Sequence, residues 1–539
     1  MQEKRKKLLE VVHTKGCSLQ ALRHITNKLA GADEQKIGKD MLSNIAQARL
    51  KAVQRNIALP LTGGKEHSWP VADLNLLVAS TVRSSGDLQD IFANALLQHT
   101  CSPSSPWRLL VTWDEFTPGS LLRPQNQRKA MVVNMTFQEL GTALQHDTCW
   151  WTVAIAKSTC LAQVVGGWSR MLRDLLKLTL CSPTGIQTVG LPLELRGALV
   201  TIYAKVGCLL SDADGLRMAL QWMGAGSLHP CFRHWNVLKK GCGRAEHDTT
   251  GTYVEIQCHD TSKFKCWRNS ELAKTIDLCA SSQQEHAAGR MYRTHLEDFQ
   301  RRLGFKATEE GLLADPELRR HIDWMGTLRY DWPHTFLSDG IVGAEMWALV
   351  AARERHHIFS QDAIYAFLKE DWQFPGQTKR KQKDLCRLFN EQARKTNEDA
   401  LTIKASMSDL LGLYCLLRHF VEVRLPEDRR MAAEVYNFQL VCKAVDLLLA
   451  AKKRRVPVRA AGRQLHALLE QHLQRHVQTH GAIRARPKPM SRSTLPNACN
   501  KMTCWWMPSR LSGCTCGPRE LLSTAKTLTT TKSLWWEEF

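Results

Sequence analysis

The chain is 539 residues long, 44% hydrophobic and 23% charged, which excludes an intrinsically disordered protein and gives room for two to four domains. Lysine and arginine number 73 against 52 aspartate and glutamate, and the formal charge of +21 points to a polyanionic partner, nucleic acid first, with an anionic membrane surface as the weaker alternative. No apolar run reads as a membrane span and Met1-Gln-Glu-Lys-Arg-Lys-Lys7 lacks a signal-peptide core, so we expect no membrane partner, a nuclear or cytoplasmic protein, and 18 cysteines that are reduced thiols or metal ligands.

Residues 3 to 56 carry helical periodicity, broken at Thr14-Lys15-Gly16-Cys17 with Ser18 as an N-cap. This is the outline of a helix-turn-helix that would offer Gln20, Arg23, His24, Asn27 and Lys28 to DNA, and equally that of a plain helical hairpin. Gly63-Gly64 and Pro70 close an N-terminal helical region over 1–69, and Leu74 to Leu97 returns as helix before the Cys101 to Pro106 linker. Arg108 to Phe116 is a strand stopped by Thr117-Pro118-Gly119, with Asp114 and Glu115 at its tip. Met131 to Phe137 and Trp150 to Ala156 complete a three-stranded meander, and Leu161 to Thr179 is an amphipathic helix. Ala198 to Ala204 reads as a fourth strand, whose connection carries Ser211-Asp212-Ala213-Asp214 to a helix over Gly215 to Met223.

Strand with acid, two strands, helix, strand followed by acids, helix: this order matches a ribonuclease-H-like mixed sheet, in which the first and fourth strands are parallel neighbours. A right-handed crossover brings their acid-bearing ends to one sheet edge. Adjacent carboxylates repel unless a cation neutralises them, and hard oxygen ligands select Mg²⁺ or Mn²⁺, which suits phosphodiester chemistry. Asp114 and Asp212 fit equally as an acid ahead of a turn and a helix N-cap.

Cys231-x-x-His234 places two ligands in one loop, and a structural Zn²⁺ would need two more from His229, Cys242, His247, Cys258 and His259. Tyr253 to Cys258 is a short strand expected at the sheet edge, so the core spans 70–268. Residues 269–480 are helical, with helices over Thr294 to Leu303, Glu345 to His356, Ile364 to Leu368, Met407 to Val423, Met431 to Ala451 and Ala461 to His480. Within them, Tyr330 to Gly340 groups Asp331, His334 and Asp339 ahead of the helix bearing Glu345, either as a source of a third metal-binding acid or as a turn capped by Asp331. The basic runs at Lys379, Arg380 and Lys381 and at Lys452, Lys453, Arg454 and Arg455 suit nuclear import, phosphate contact or a solvated face alike. Helical periodicity stops after Gly481, and the tail over 481–539 reads as poorly ordered.

Four segments carry a resemblance: Val111-Thr-Trp-Asp-Glu-Phe-Thr-Pro-Gly119, Leu209-Leu-Ser-Asp-Ala-Asp-Gly-Leu-Arg-Met218, Leu228-His-Pro-Cys-Phe-Arg-His-Trp-Asn-Val-Leu-Lys239 and Tyr330-Asp-Trp-Pro-His334. Over roughly residues 70 to 480 the chain resembles a transposon-derived lineage of dinoflagellate genomes, and is similar to eukaryotic DDE/D cut-and-paste transposases. The resemblance implies an α/β fold, a ribonuclease-H-like mixed sheet with a large α-helical insertion and a C-terminal helical region. It implies metal-dependent DNA cleavage and strand transfer, with Asp114, Asp212 and Glu345 as the acids and Glu115, Asp214, Asp331 and Asp339 as alternatives. Cys231-x-x-His234 stands where such proteins carry a Cys-x-x-His or Asp-x-x-His motif after the second acid, and Asp331-x-x-His334 has the same form. Two departures stand out: Pro333 replaces the lineage's Met, and the tail leaves the expected pattern after Pro487-Lys488, as in a frameshifted or decayed copy. A catalytically inactive DNA-binding protein and a zinc-stabilised scaffold without a nucleic-acid role are the rival expectations, and the oligomeric state is open, a homo-oligomer included.

Overall fold

The computed structural model describes residues 50–116, 129–242, 248–256, 258, 260–337, 340–356, 358, 361–370, 379–424, 429–452 and 455–480. The chain divides into two units, whose described residues fall within 50–221 and 307–329 for the first, and within 222–306 and 330–480 for the second. The expected helix-turn-helix with Arg23 and Lys28, and the tail over 481–539, lie outside the described residues.

The first unit is α/β. Its strands are β1 (Gln54–Pro60), β2 (Glu66–Ala72), β3 (Trp107–Phe116), β4 (Ala130–Phe137), β5 (Trp151–Lys157), β6 (Leu191–Leu195), β7 (Ala198–Ile202), β8 (Ala204–Ser211) and β9 (Leu328–Tyr330), the last running one residue past the unit's boundary. Its longer helices are α1 (Leu74–Arg83), α2 (Gly86–Gln98), α3 (Gly167–Leu180) and α4 (Ala213–Leu220). Seven strands form one mixed sheet in the order β1-β2-β5-β4-β3-β8-β9. The pairs from β1 through β3 are antiparallel, and β3 with β8 is parallel. Every residue of β4 and most of β3 are buried, which requires cover on both sheet faces and explains why these segments read as continuous apolar runs. Phe92 of α2 locks that cover by stacking on Trp107 at 6.0 Å between ring centroids and meeting Phe137 edge-on at 6.0 Å.

Three expectations are corrected here. The fourth core strand is Ala204–Ser211; Ala198–Ile202 instead pairs with β6 in a separate two-stranded ribbon, its side chains largely exposed. Gly207 made the apolar run look interrupted, yet it is where the β3–β8 register shifts, and a Cβ there would lie 2.5 Å from Arg108 Cβ. Gly63 and Gly64, read as a boundary, turn the β1–β2 hairpin with φ of +106° and +81°, so the expected division at 69/70 falls inside β2. The helix expected over 74–97 breaks at Ser84-Ser85, where Ser85 caps α2 through Leu88 N–H.

The second unit opens with a loop-rich segment over 222–268. Val254–Glu255 pairs with Val237–Leu238 in a small parallel ladder of its own, not on the edge of the main sheet as expected. Buried Asn236 organises the loops: its amide donates to Thr252 O at 2.8 Å and Lys263 O at 2.9 Å, and its Oδ1 accepts from Lys265 N at 2.7 Å. Helices α5 (Asn269–Ala287) and α6 (Arg293–Leu303) follow. The remainder comprises α7 (Ile341–His356), α8 (Gln361–Lys369), α9 (Lys379–Arg387), α10 (Glu391–Ala400), α11 (Met407–Arg424), α12 (Ala432–Lys452) and α13 (Val458–His480). One core unites them, including Met346, Ile364, Phe389, Leu413, Phe438 and Leu465. The stretch Trp332–Ala352 is long and apolar enough to cross a membrane, contrary to the expectation that no run was, but 81% of its most apolar window is buried inside the protein, as in the central helix of a core.

Candidate metal sites

The parallel pairing of β3 with β8 runs to Thr112 opposite Leu210. Two residues further along the respective chains stand Asp114 and Asp212, both half-buried, on strands that neighbour each other at about 4.8 Å. Ser211 Oγ donates to Trp113 O at 2.8 Å and ties the two strand ends together. Asp212 then caps α4, its Oδ1 accepting from Gly215 N at 2.6 Å, which leaves Oδ2 for another ligand. The fit at Gly215 is tight: a Cβ would lie 2.1 Å from Ser211 Oγ and 3.0 Å from both Asp212 Oδ1 and Trp113 Nε1. Of the alternative acids, Glu115 binds Lys129 Nζ at 2.8 Å and Asp214 is exposed with Arg217 at 3.4 Å. Carboxylates on neighbouring strands are hard oxygen donors of the kind that take Mg²⁺ or Mn²⁺ when substrate phosphate and water complete the shell. Among the described residues no third His, Cys, Asp or Glu gathers with them into a ready-made set.

Glu345, expected as the third acid, belongs to the second unit, where a different cluster holds it. Its side chain projects from α7, and its Oε1 lies 2.8 Å from His472 Nε2 and in hydrogen-bond contact with His476 Nδ1, both from α13. The three ligand atoms all lie within 4.8 Å of one another, so this buried Glu/His/His group can hold a metal ion. Burial alone would push the Glu345 carboxyl up, but the imidazoles, His472 foremost, outweigh it and hold the group well below the usual carboxylate range. For His476, burial works against protonation, and the hydrogen bond and charge of Glu345 overcome it to raise the pKa above its ordinary 6.5.

The remaining expected residues are placed as follows. Cys231 Sγ faces His234 Nδ1 at 3.2 Å, and burial, aided by the Arg233 charge, pushes His234 down to about 3. Against the expectation of reduced thiols or metal ligands, Cys231 is disulfide-bonded, and among the described residues the pair is not part of a three-ligand group, so the expected zinc set does not assemble there; His247 and His259 lie outside the described residues. His334 Nδ1 meets Asp331 Oδ2 at 2.5 Å, and Asp331 stands at the N-cap of the short helix Trp332–Phe336, whose first turn accommodates Pro333. Asp331 takes the N-cap position without a side-chain capping bond, so of the turn weighed above the polar contact of His334 is present and the expected Asp331 cap is not. Asp339 lies outside the described residues. Lys379, Arg380 and Lys381 begin α9, but their side chains are not among those described; Lys452 ends α12, Lys453 and Arg454 fall outside, and Arg455 is exposed.

His472 and His476 were missed from sequence, although their spacing of four on a predicted helix places both on one face. The partner acid stands in the apolar stretch Ile341-Val-Gly-Ala-Glu-Met-Trp347, where a lone buried carboxylate demands compensation. No protein-family model matches this chain and no curated protein matches it significantly.

Proposed function

We propose that the chain is a DNA-acting protein of the transposase kind, built on a ribonuclease-H-like sheet, in which Asp114 and Asp212 hold Mg²⁺ or Mn²⁺ for phosphodiester cleavage. The observation that carries this reading is the parallel β3–β8 pair, which brings two acids separated by nearly a hundred residues to adjoining strand ends. The strand order β5-β4-β3-β8-β9, with β3 antiparallel to β4 and parallel to β8, supports the ribonuclease-H-like reading, and the charge of +21 supports a polyanionic substrate. A divalent cation bound there supplies Lewis-acid stabilisation of the charge that develops on a phosphodiester under attack. The residues supply the rest: Asp114 and Asp212 bind and orient, and the cap to Gly215 fixes the Asp212 rotamer. The test is nicking of supercoiled DNA in Mg²⁺ or Mn²⁺. Cleavage lost in Asp114→Asn and in Asp212→Asn is expected; cleavage that persists unchanged in both would overturn the assignment.

A second reading has its own observation. Glu345 is 2% exposed and its carboxylate is engaged by two histidines, while no third acid gathers at the strand ends among the described residues. This favours a catalytically inactive, DNA-binding derivative of a transposase. It is distinguished by salt-sensitive DNA binding without cleavage by the wild-type chain in either metal.

A further inference from the structure

We infer that Glu345, His472 and His476 form a zinc site in the helical unit, with three protein ligands and a fourth position completed by water. Three features make this a built site. Both histidines sit one helical turn apart on α13, so a single rigid element presents two imidazoles to the same point. The carboxylate reaches them from α7, and Glu345 and His472 are both nearly inaccessible, at 2% and 1% exposure. The three ligand atoms all lie within 4.8 Å of one another, so a single ion can reach all three.

Two imidazole nitrogens and one carboxylate oxygen are a borderline donor set that suits zinc better than magnesium or calcium, which prefer oxygen alone. Tetrahedral zinc at about 2.1 Å from each ligand separates ligand atoms by roughly 3.4 Å. The Glu345 Oε1 to His472 Nε2 contact of 2.8 Å would therefore open by about 0.6 Å, within the reach of side-chain rotation. His476 is the most exposed of the three ligands, its side chain 13% accessible.

The site lies wholly within the second unit and does not depend on the nuclease reading; Mg²⁺-dependent cleavage at Asp114 and Asp212 can fail while this site stands, and the reverse. The test uses the full-length chain, stripped with chelator and loaded with Co²⁺ as a spectroscopic stand-in for zinc. We expect one equivalent that shows visible d–d absorption without thiolate-to-cobalt charge transfer, displaced by Zn²⁺, together with a rise in the thermal midpoint on adding zinc. Glu345→Gln and His476→Ala should each lose that equivalent while any thiolate-bound cobalt is unchanged. Cobalt bound only with thiolate charge transfer, or a thiolate-free equivalent kept by both variants, would overturn the site. The measurements on the wild-type chain decide the matter even if a variant fails to fold.

Discussion

Asp212 does two jobs that substitution can separate. As an N-cap it accepts the Gly215 N–H; as a proposed ligand it offers its charge and its second oxygen. Asp212→Asn keeps the cap and should unfold within a few tenths of a kcal/mol of wild type, whereas Asp212→Ala should lose about 1 kcal/mol, read by urea denaturation. Both should abolish metal-dependent cleavage. Asp315 makes a separate prediction about pH. It is buried, and burial opposes its ionisation, but the Leu318 N–H at 2.9 Å, Lys177 Nζ at 3.2 Å and Arg173 hold its carboxyl below the ordinary value of 3.8. A depressed folded pKa means that this group stabilises fully above about 3.8 and that its contribution is lost as pH falls through the lower folded value. Asp315→Asn should therefore flatten the acid limb of a stability profile below pH about 4, and an unchanged limb would contradict the network. At this scale the sequence made Asp114 and Asp212 legible because each ends an apolar run at a turn or helix start. It hid the partners of Glu345, because His472 and His476 stand well over a hundred residues away and only folding joins them.

The β3–β8 pair depends on close backbone approach at Gly207. An added Cβ would meet Arg108 Cβ at 2.5 Å and Arg108 Cα at 3.3 Å, in the middle of the sheet, where neither strand can yield without losing its ladder. Gly207→Ala should destabilise by about 1 to 3 kcal/mol, seen as a lower urea midpoint at an unchanged slope. A neutral result would mean that the two strands do not pack as described. Legibility at this scale tracks burial. Strands β3, β4 and β5, buried on both faces, announce themselves as apolar runs. The β1–β2 hairpin does not: Gln54-Arg-Asn-Ile-Ala-Leu-Pro60 lies at the sheet edge and Glu66-His-Ser-Trp-Pro-Val-Ala72 pairs with β5 only at Val71–Ala154, so both tolerate polar residues and a proline that sequence patterns read as boundaries. The fourth strand was misplaced by a few residues for the related reason that Gly207 interrupts its pattern.

For the whole molecule, the charge of +21 predicts DNA affinity that falls steeply as salt rises, because each phosphate contact releases condensed counterions. Binding by filter retention or anisotropy that shows no salt slope would exclude DNA as the partner. A chain ending at Arg484 should match the full-length midpoint to within about half a kcal/mol, since the sequence beyond it has no period with which to bury a continuous face. Loss of cooperative unfolding on that truncation would show that the tail packs into the fold. The central claim is that Asp114 and Asp212 share one cation, and localised backbone cleavage tests it most directly. With Fe²⁺ replacing Mg²⁺ and peroxide added, hydroxyl radicals cut the chain beside the bound ion. The account predicts paired cuts next to Asp114 and Asp212, suppressed together by excess Mg²⁺ and absent in Asp114→Asn. Cuts at only one of the two positions, or at neither, would contradict it.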